Sequence, residues 1–324
     1  MRAIIPVAGF GSRLRPHTFT LPKVLLNVAG KPIIGHILDQ IIAAGFDEAT
    51  FIVGYLGDMV RDYVKSQYRI KVDFVDQDER RGLAHAVYLA KDGFSSGPFL
   101  IILGDTIFDV DLKPIMSGTY TSIGVKEVED PRRFGIAELK DGFVTKLTEK
   151  PEHPVSNHAI VGLYWIDKPR LLQECIEELM AADRKTKGEF QLTDALQLMI
   201  EHGEKIRTFP VEGWYDCGKP ETLLATNRHL LGKQPPPAAR DGVVIVPPVY
   251  ISPKAKIVHS VVGPFATVAD GAAVTESIVR NSIIGEGAEV NKSLLEGSIV
   301  GINAVVRGTF NRINIGDSSE IDFH

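Results

Sequence analysis

Near the start of the chain, Gly9-Phe10-Gly11-Ser12-Arg13-Leu14-Arg15 is followed a few residues later by Leu21-Pro22-Lys23. Two glycines let backbone N–H groups come close to a phosphate, where larger residues would block the approach. Three cations on one segment add fixed positive charge. The dinucleotide pattern G-x-G-x-x-G fails, because its third position needs Gly or Ala for close helix packing and Leu14 stands there. The Walker pattern fails as well, since no G-K-[ST] follows at its spacing. Phosphate chemistry on a charged scaffold is the economical reading, and a glycine turn with solvated cations is its rival.

Residues 8 to 23, A-G-F-G-S-R-L-R-P-H-T-F-T-L-P-K, resemble the signature G-x-G-[ST]-R-L-x-P-x-T followed by P-K of the sugar-phosphate nucleotidylyltransferases, also called nucleotide-sugar pyrophosphorylases. Further motifs fall in the family's order. They are Gln77 with Arg81-Gly82-Leu83-Ala84-His85-Ala86, Leu103-Gly104-Asp105, Phe134-Gly135, Glu149-Lys150-Pro151, Val161-Gly162-Leu163-Tyr164 and Trp214-Tyr215-Asp216-Cys217-Gly218. The resemblance covers most of the first 230 residues or so.

The resemblance implies a reaction in nucleotide-sugar biosynthesis. A sugar 1-phosphate oxygen attacks the α-phosphorus of a nucleoside triphosphate in line, and pyrophosphate leaves. Catalysis is then positioning and charge neutralisation. By resemblance, Ala8, Gly9, Gly11 and Ser12 cradle the triphosphate, and Arg13 neutralises its departing end. Lys23 bridges the α-phosphate and the attacking phosphate. Asp105, after the apolar run Phe99 to Leu103, and Asp216 hold Mg²⁺. Gln77 and the backbone at Gly82 read the base, with dTTP or UTP favoured. Gly135, Glu149, Lys150 and Gly162 contact the sugar and its phosphate. Relatives that use N-acetylglucosamine 1-phosphate tend to carry Asn two residues before the glycine matching Gly162, where this chain has Ile160. The pattern is therefore closest to the glucose-1-phosphate thymidylyltransferases of the long form.

The elements that must position these residues are legible in the hydrophobic pattern. Ala3 to Val7 reads as a buried strand ending at Gly9. Ile33, Ile34, Ile37, Leu38, Ile41 and Ile42 predict a helix that starts after Pro32 and stops at Gly45. The alternation continues with strands at 51–53, 72–75 and 99–103 and helices at 58–65 and 83–91, so the sheet should be Rossmann-like and mostly parallel, with ligands beyond the strands' carboxyl ends. Strand-like pieces follow at 122–126, 135–139 and 159–166, with helices near 168–182 and 192–202.

The run GKQPPPAARDG, 232–242, reads as a linker separating a catalytic domain, 1–231, from a second domain and tail, 243–324. In the second domain Ile245, Ile251 and Ile257 recur six apart, as do Val262, Val268 and Val274, then Ile284 and Val290, then Val300 and Val306. This six-residue beat predicts a left-handed parallel β-helix. About 65 residues at roughly 18 per coil give about three or four coils. Its long open faces suggest a homo-oligomer formed through the β-helix or the catalytic domain.

Composition sets the outer bounds. Of 324 residues 44% are hydrophobic, ample for buried cores, and 36 Lys+Arg against 41 Asp+Glu leave a net charge of -5, which offers no bulk attraction to nucleic acid or membrane. Two cysteines, Cys175 and Cys217, allow no disulfide framework and fit a cytoplasmic setting, with both thiols expected to be inert. No run approaches the ~18 apolar residues of a membrane span. Three rival functions remain: a bifunctional N-acetylglucosamine-1-phosphate uridylyltransferase and acyltransferase, a mannose-1-phosphate guanylyltransferase, and a non-catalytic regulatory subunit of the same fold.

Overall fold

A computed structural model of the chain describes residues 1–308, and the tail expected at 309–324 lies outside the described residues. Contacts divide the chain into two compact units. The first holds Met1–Leu26 and Lys31–Thr226, and the second holds Asn27–Gly30 and the chain from Asn227 onward. This packing division falls upstream of the proline run, within a helix at Pro220–Leu231, and it assigns a four-residue piece of the N-terminal region to the second unit.

The first unit is built on a nine-stranded sheet. Strands β1 (Arg2–Pro6), β2 (Glu48–Val53), β3 (Lys71–Asp76) and β4 (Phe99–Ile102) pair in parallel in the order β4-β1-β2-β3. β1, β2 and β4 are continuous apolar runs because both faces of a parallel sheet are covered. The crossovers are α1 (Ile33–Ala44), α2 (Gly57–Gln67) and α3 (Leu83–Leu89). Helix α1 buries Ile33, Ile34, Ile37, Leu38 and Ile41, but Ile42 turns outward and is 39% exposed. Gly45 ends the helix in the left-handed region, φ 101°, donating its N–H to the last carbonyls.

After β4 the pairing changes. β5 (Thr106–Asp109) leaves the sheet, and β6 (Ser122–Glu127), β7 (Gly135–Lys140), β8 (Phe143–Glu149) and β9 (His158–Ile166) extend it, β9 running antiparallel to β4. Helices α4 (Pro169–Ala181) and α5 (Leu192–Glu201) cover this half with Leu172, Ile176, Leu179, Leu196 and Met199 in the core. Strand β10 (Arg207–Pro210) joins β6, and β11 (Gly213–Asp216) pairs antiparallel with β5 as a separate ribbon. Among the described residues no helix is long and apolar enough to cross a membrane.

The second unit is a left-handed β-helix of three four-stranded parallel sheets. The hexapeptide aliphatics form its core: Val262, Val268, Val274, Ile284 and Val290 are buried, and Ile245, Ile257 and Val306 pack against them. The coils are shorter than the ideal 18 residues. Val261 pairs with Val244 and Leu294 with Ile278, so successive coils take 17 and then 16 residues, with turns losing a position at the corners. Buried corner serines satisfy the backbone there: Ser260 Oγ accepts from the Ser277 N–H at 3.1 Å, and Ser277 Oγ from the Ser293 N–H at 3.1 Å. Asn227, fully buried, accepts from the Ala29 N–H at 2.8 Å and the Thr267 hydroxyl at 2.7 Å, which explains why residues 27–30 belong to this unit.

Candidate active site

The glycine-rich loop leaves the carboxyl end of β1. Gly11 adopts φ 61° and opens a short 3-10 turn, Ser12–Leu14. Leu14 is fully buried, so the residue that breaks the dinucleotide pattern is an apolar plug anchoring the loop. A Cβ on Gly11 would lie 3.0 Å from both Lys23 Cβ and Thr18 Cγ2, and the Thr18 hydroxyl donates to the Gly11 carbonyl at 2.8 Å. The loop is therefore packed directly on Lys23, itself only 6% exposed.

The two aspartates come together through strand register. β5 starts beside Asp105, and Thr106 pairs with Asp216, the last residue of β11; the Cys217 N–H donates to the Asp105 carbonyl at 3.1 Å. The Lys23 ammonium donates to Asp105 Oδ2 at 2.6 Å and stands 4.0 Å from Asp216 Oδ1. Both carboxylates keep about 40% exposure, so they face the cleft and not the core. Arg13 reaches the same place: a Cβ on Gly218 would meet Asp216 Oδ2 at 2.8 Å and Arg13 Nη2 at 3.1 Å. Cations from two loops and carboxylates at one end of the β5–β11 ribbon thus converge, a set of groups whose chemistry can serve phosphate and a divalent cation together.

A cavity of about 1240 Å³ opens beside this cluster. Arg13, Asp105, Gly135, Glu149, Lys150, Gly162 and Asp216 all line it, whereas Gly9, Gly11, Ser12, Lys23, Gln77 and Gly82 lie outside its lining. Gly162 sits at a bulge in β9, with φ 91° and no room for a Cβ, which would be 2.4 Å from Leu103. At Gly135 a Cβ would meet Glu149 Oε2 and Thr193 Oγ1, both at 2.9 Å, and Ile160 Cδ1 at 3.1 Å. The Thr193 hydroxyl donates to Glu149 Oε2 at 2.7 Å while the Lys150 ammonium lies 3.1 Å from Oε1, so the Glu149 side chain, 9% exposed, is held from both ends.

Thr193 had no sequence signal, and neither did Arg132, Arg133, Lys187 and Lys219, which also line the cavity. These four cations share the lining with the carboxylates Asp105, Glu149, Glu152 and Asp216. On the other side, the Gln77 N–H donates to the Val53 carbonyl at 2.8 Å, and Gly82, φ 113°, is pressed against the Phe190 backbone, where a Cβ would lie 2.4 Å from the carbonyl oxygen.

Other titratable groups have structural explanations. His85 is buried on α3, its Nδ1 has no hydrogen-bond partner, and burial lowers its pKa, so it packs as a neutral ring. Burial pushes both thiols, Cys175 and Cys217, up to about 12. Among the described residues no group of three or more His, Cys, Asp or Glu gathers to hold a metal.

Residues 2–233 match the nucleotidyl transferase family. Among curated relatives, the chain is 38% identical over 241 residues to the low-salt glycan biosynthesis nucleotidyltransferase Agl11 of Haloferax volcanii, covering 71% of this chain and 66% of that protein. It is 40% identical over 235 residues to the bifunctional protein GlmU of Methanocaldococcus jannaschii, spanning 72% of this chain and 55% of that one. It is 32% identical over 316 residues to a glucose-1-phosphate thymidylyltransferase of Streptomyces griseus, covering 88% and 87%. The chain thus spans less than two thirds of the first two relatives and most of the third. A structure of UDP-glucose pyrophosphorylase complexed with UDP-glucose superposes with a TM-score of 0.64 at 24% identity, covering 72% of this chain and 99% of that one, which shows a shared fold. The chain belongs to the nucleotidyl transferase family.

Proposed function

We propose that this protein transfers a nucleotidyl group from dTTP or UTP to glucose 1-phosphate, giving a nucleotide sugar and pyrophosphate. The observation that carries the reading is the convergence of Lys23, Asp105, Asp216 and Arg13 beside a cavity holding Glu149 and Lys150. An oxygen of the sugar phosphate forms a bond to the α-phosphorus, and the bond from that phosphorus to the bridging oxygen breaks. The electron pair leaves with pyrophosphate. In this reading Lys23 neutralises the α-phosphate and brings the attacking phosphate to it, and Arg13 takes charge on the leaving group. Gly9, Gly11 and Ser12 offer backbone N–H groups, with Ala8 at the loop's base. Lys150 grips the sugar phosphate and Glu149 accepts from a sugar hydroxyl. Gly135 and Gly162 offer backbone to the sugar, their lack of a Cβ letting Glu149 and Leu103 pack close beside them.

Asp105 and Asp216 would hold Mg²⁺. They fit it, because they already share one positive charge, the Lys23 ammonium, and two carboxylates plus waters and substrate phosphates suit its oxygen coordination. Bound there, the ion supplies charge neutralisation at the triphosphate.

Gln77 supports a pyrimidine, since its amide can both donate to and accept from an imide edge. Ile160 supports glucose over an N-acetylated sugar: it lines the cavity with an aliphatic side chain that offers no partner to an amide. The thymidylyltransferase relative matched along most of its length points the same way. Acyl transfer is not proposed, as the match to the bifunctional relative spans 55% of that protein. A cytoplasmic location and a homo-oligomer complete the proposal.

The test is pyrophosphate release with Mg²⁺ across dTTP, UTP, GTP, ATP and CTP, each with glucose, mannose, galactose and N-acetylglucosamine 1-phosphates. The highest kcat/KM should fall on dTTP or UTP with glucose 1-phosphate. A clear preference for GTP with mannose 1-phosphate would replace the substrate assignment, and no release with any pair would favour a regulatory subunit.

A further inference from the structure

Arg80 lies between the two residues assigned to the base, Gln77 and Gly82, yet its side chain points elsewhere. One Nη2–H donates to the Ala8 carbonyl at 2.8 Å. The guanidinium carbon stands 3.0 Å from the centroid of the Phe10 ring. Phe10 is the residue between the two loop glycines, 47% exposed, and its other neighbour is Tyr55, with ring centroids 5.8 Å apart. Tyr55 is tied in turn, its hydroxyl donating to the Phe19 carbonyl at 3.3 Å.

An arginine would ordinarily seek a carboxylate here, with Asp78 and Glu79 adjacent in sequence. Among the described residues Arg80 makes no ion pair. Its base is firm: the Phe190 N–H donates to the Arg81 carbonyl at 2.8 Å, and Gly82 is wedged against Phe190. The Ala8 backbone is backed on another side by Gly54, where a Cβ would meet the Ala8 carbonyl oxygen at 3.1 Å. The loop Gly9–Ser12 carries two glycines and so has the most conformational freedom to lose when it closes on phosphate. A cation–π contact and a hydrogen bond from a rigid neighbour remove part of that freedom beforehand.

We propose that Arg80 is a positioning residue: by gripping Phe10 and the Ala8 carbonyl it presets the glycine loop for the triphosphate and couples it to the base-reading segment. The proposal rests on the nucleotidyl-transfer reading for its kinetic part, and on geometry alone for the loop.

The full-length protein and the variants R80A, R80K, F10A and R80A/F10A are compared by hydrogen exchange of amides 9–13 in the absence of ligand, and by KM for dTTP, UTP and glucose 1-phosphate. In R80A, loop exchange should quicken about ten-fold and the KM for the nucleotide that wild type uses should rise about ten-fold, the equivalent of about 1.4 kcal/mol. The glucose 1-phosphate KM should stay within about two-fold. R80K should be intermediate, and R80A/F10A should show less than the sum of the two single effects, because both remove the Arg80–Phe10 contact. Unchanged exchange, parallel rises in both KM values, or additive effects of the two substitutions would overturn the proposal. Should R80A fail to fold, R80K and F10A give the same readings. Wild-type protein inactive with every nucleotide would refute the substrate assignment, leaving exchange to decide the loop.

Discussion

Replacing Lys23 with Met separates catalysis from stability. The ammonium lies 2.6 Å from Asp105 Oδ2 and 4.0 Å from Asp216 Oδ1. At an effective dielectric of about 20 these distances correspond to roughly 6 and 4 kcal/mol of Coulomb attraction. Most of this is offset. The carboxylates are about 40% exposed and solvent-screened, and burying an ammonium carries its own desolvation penalty of several kcal/mol, which Met abolishes while keeping the packing of the aliphatic stem. The net change in stability should be within about 2 kcal/mol, a Tm shift of about 4–8 °C for a unit of this size. Turnover has no such compensation. Loss of a preorganised cation at the reacting phosphates should lower kcat/KM by about 10²–10³, or ~3–4 kcal/mol. Pyrophosphate release and differential scanning fluorimetry measure the two sides. A kcat/KM within ten-fold of wild type would refute the role of Lys23, and a collapse of Tm by more than about 15 °C would show that the lysine holds the fold instead.

Three further outcomes follow from the geometry. Thr193→Ala frees Glu149 Oε2 and should raise the KM for glucose 1-phosphate about five- to ten-fold with little change for the nucleotide; equal effects on both would remove Glu149 from the sugar site. Asn227→Ala strands the Ala29 N–H and the Thr267 hydroxyl and should destabilise the second unit by about 2–4 kcal/mol, read by chemical denaturation; a variant as stable as wild type would contradict the buried hub. Cys175 and Cys217 should resist alkylation at pH 8 in the folded protein and react fully in guanidinium. Their folded pKa near 12 lies above the unfolded value, so the neutral thiols add stability below about pH 8.5 that fades as the pH rises towards 12; rapid labelling of the native protein at pH 8 would show otherwise.

What the sequence made legible follows physical range. Strands β1, β2 and β4 and helix α1 are visible because continuous apolar runs and helical spacing are local consequences of burial on two faces or one. The β-helix columns are visible for the same reason, although the coils of 16 and 17 residues depend on corner geometry that no hexapeptide count contains. Asp105 and Asp216 meet only through the antiparallel register of β5 and β11, a pairing with no local signature, and their partnership came from a family resemblance. Thr193 was missed because a threonine on an amphipathic helix carries no mark of the carboxylate it serves. The assignment of residues 27–30 to the second unit rests on distant side chains, Asn227 and Gln234 on Ala29 and Tyr250 against Gly30, and the proline run, however suggestive, lies beyond that division.

The central claim is transfer at the Lys23–Asp105–Asp216 cluster. It is tested most directly by incubating wild-type protein and Asp105→Asn with Mg²⁺, dTTP or UTP and glucose 1-phosphate, and separating the products by ion-pair chromatography. Wild type should form nucleotide sugar and pyrophosphate in equal amounts, and only with Mg²⁺, while Asp105→Asn, folded by its melting curve, should be slower by about 10² or more. Absence of nucleotide sugar from wild type, or an undiminished rate in Asp105→Asn, would contradict it.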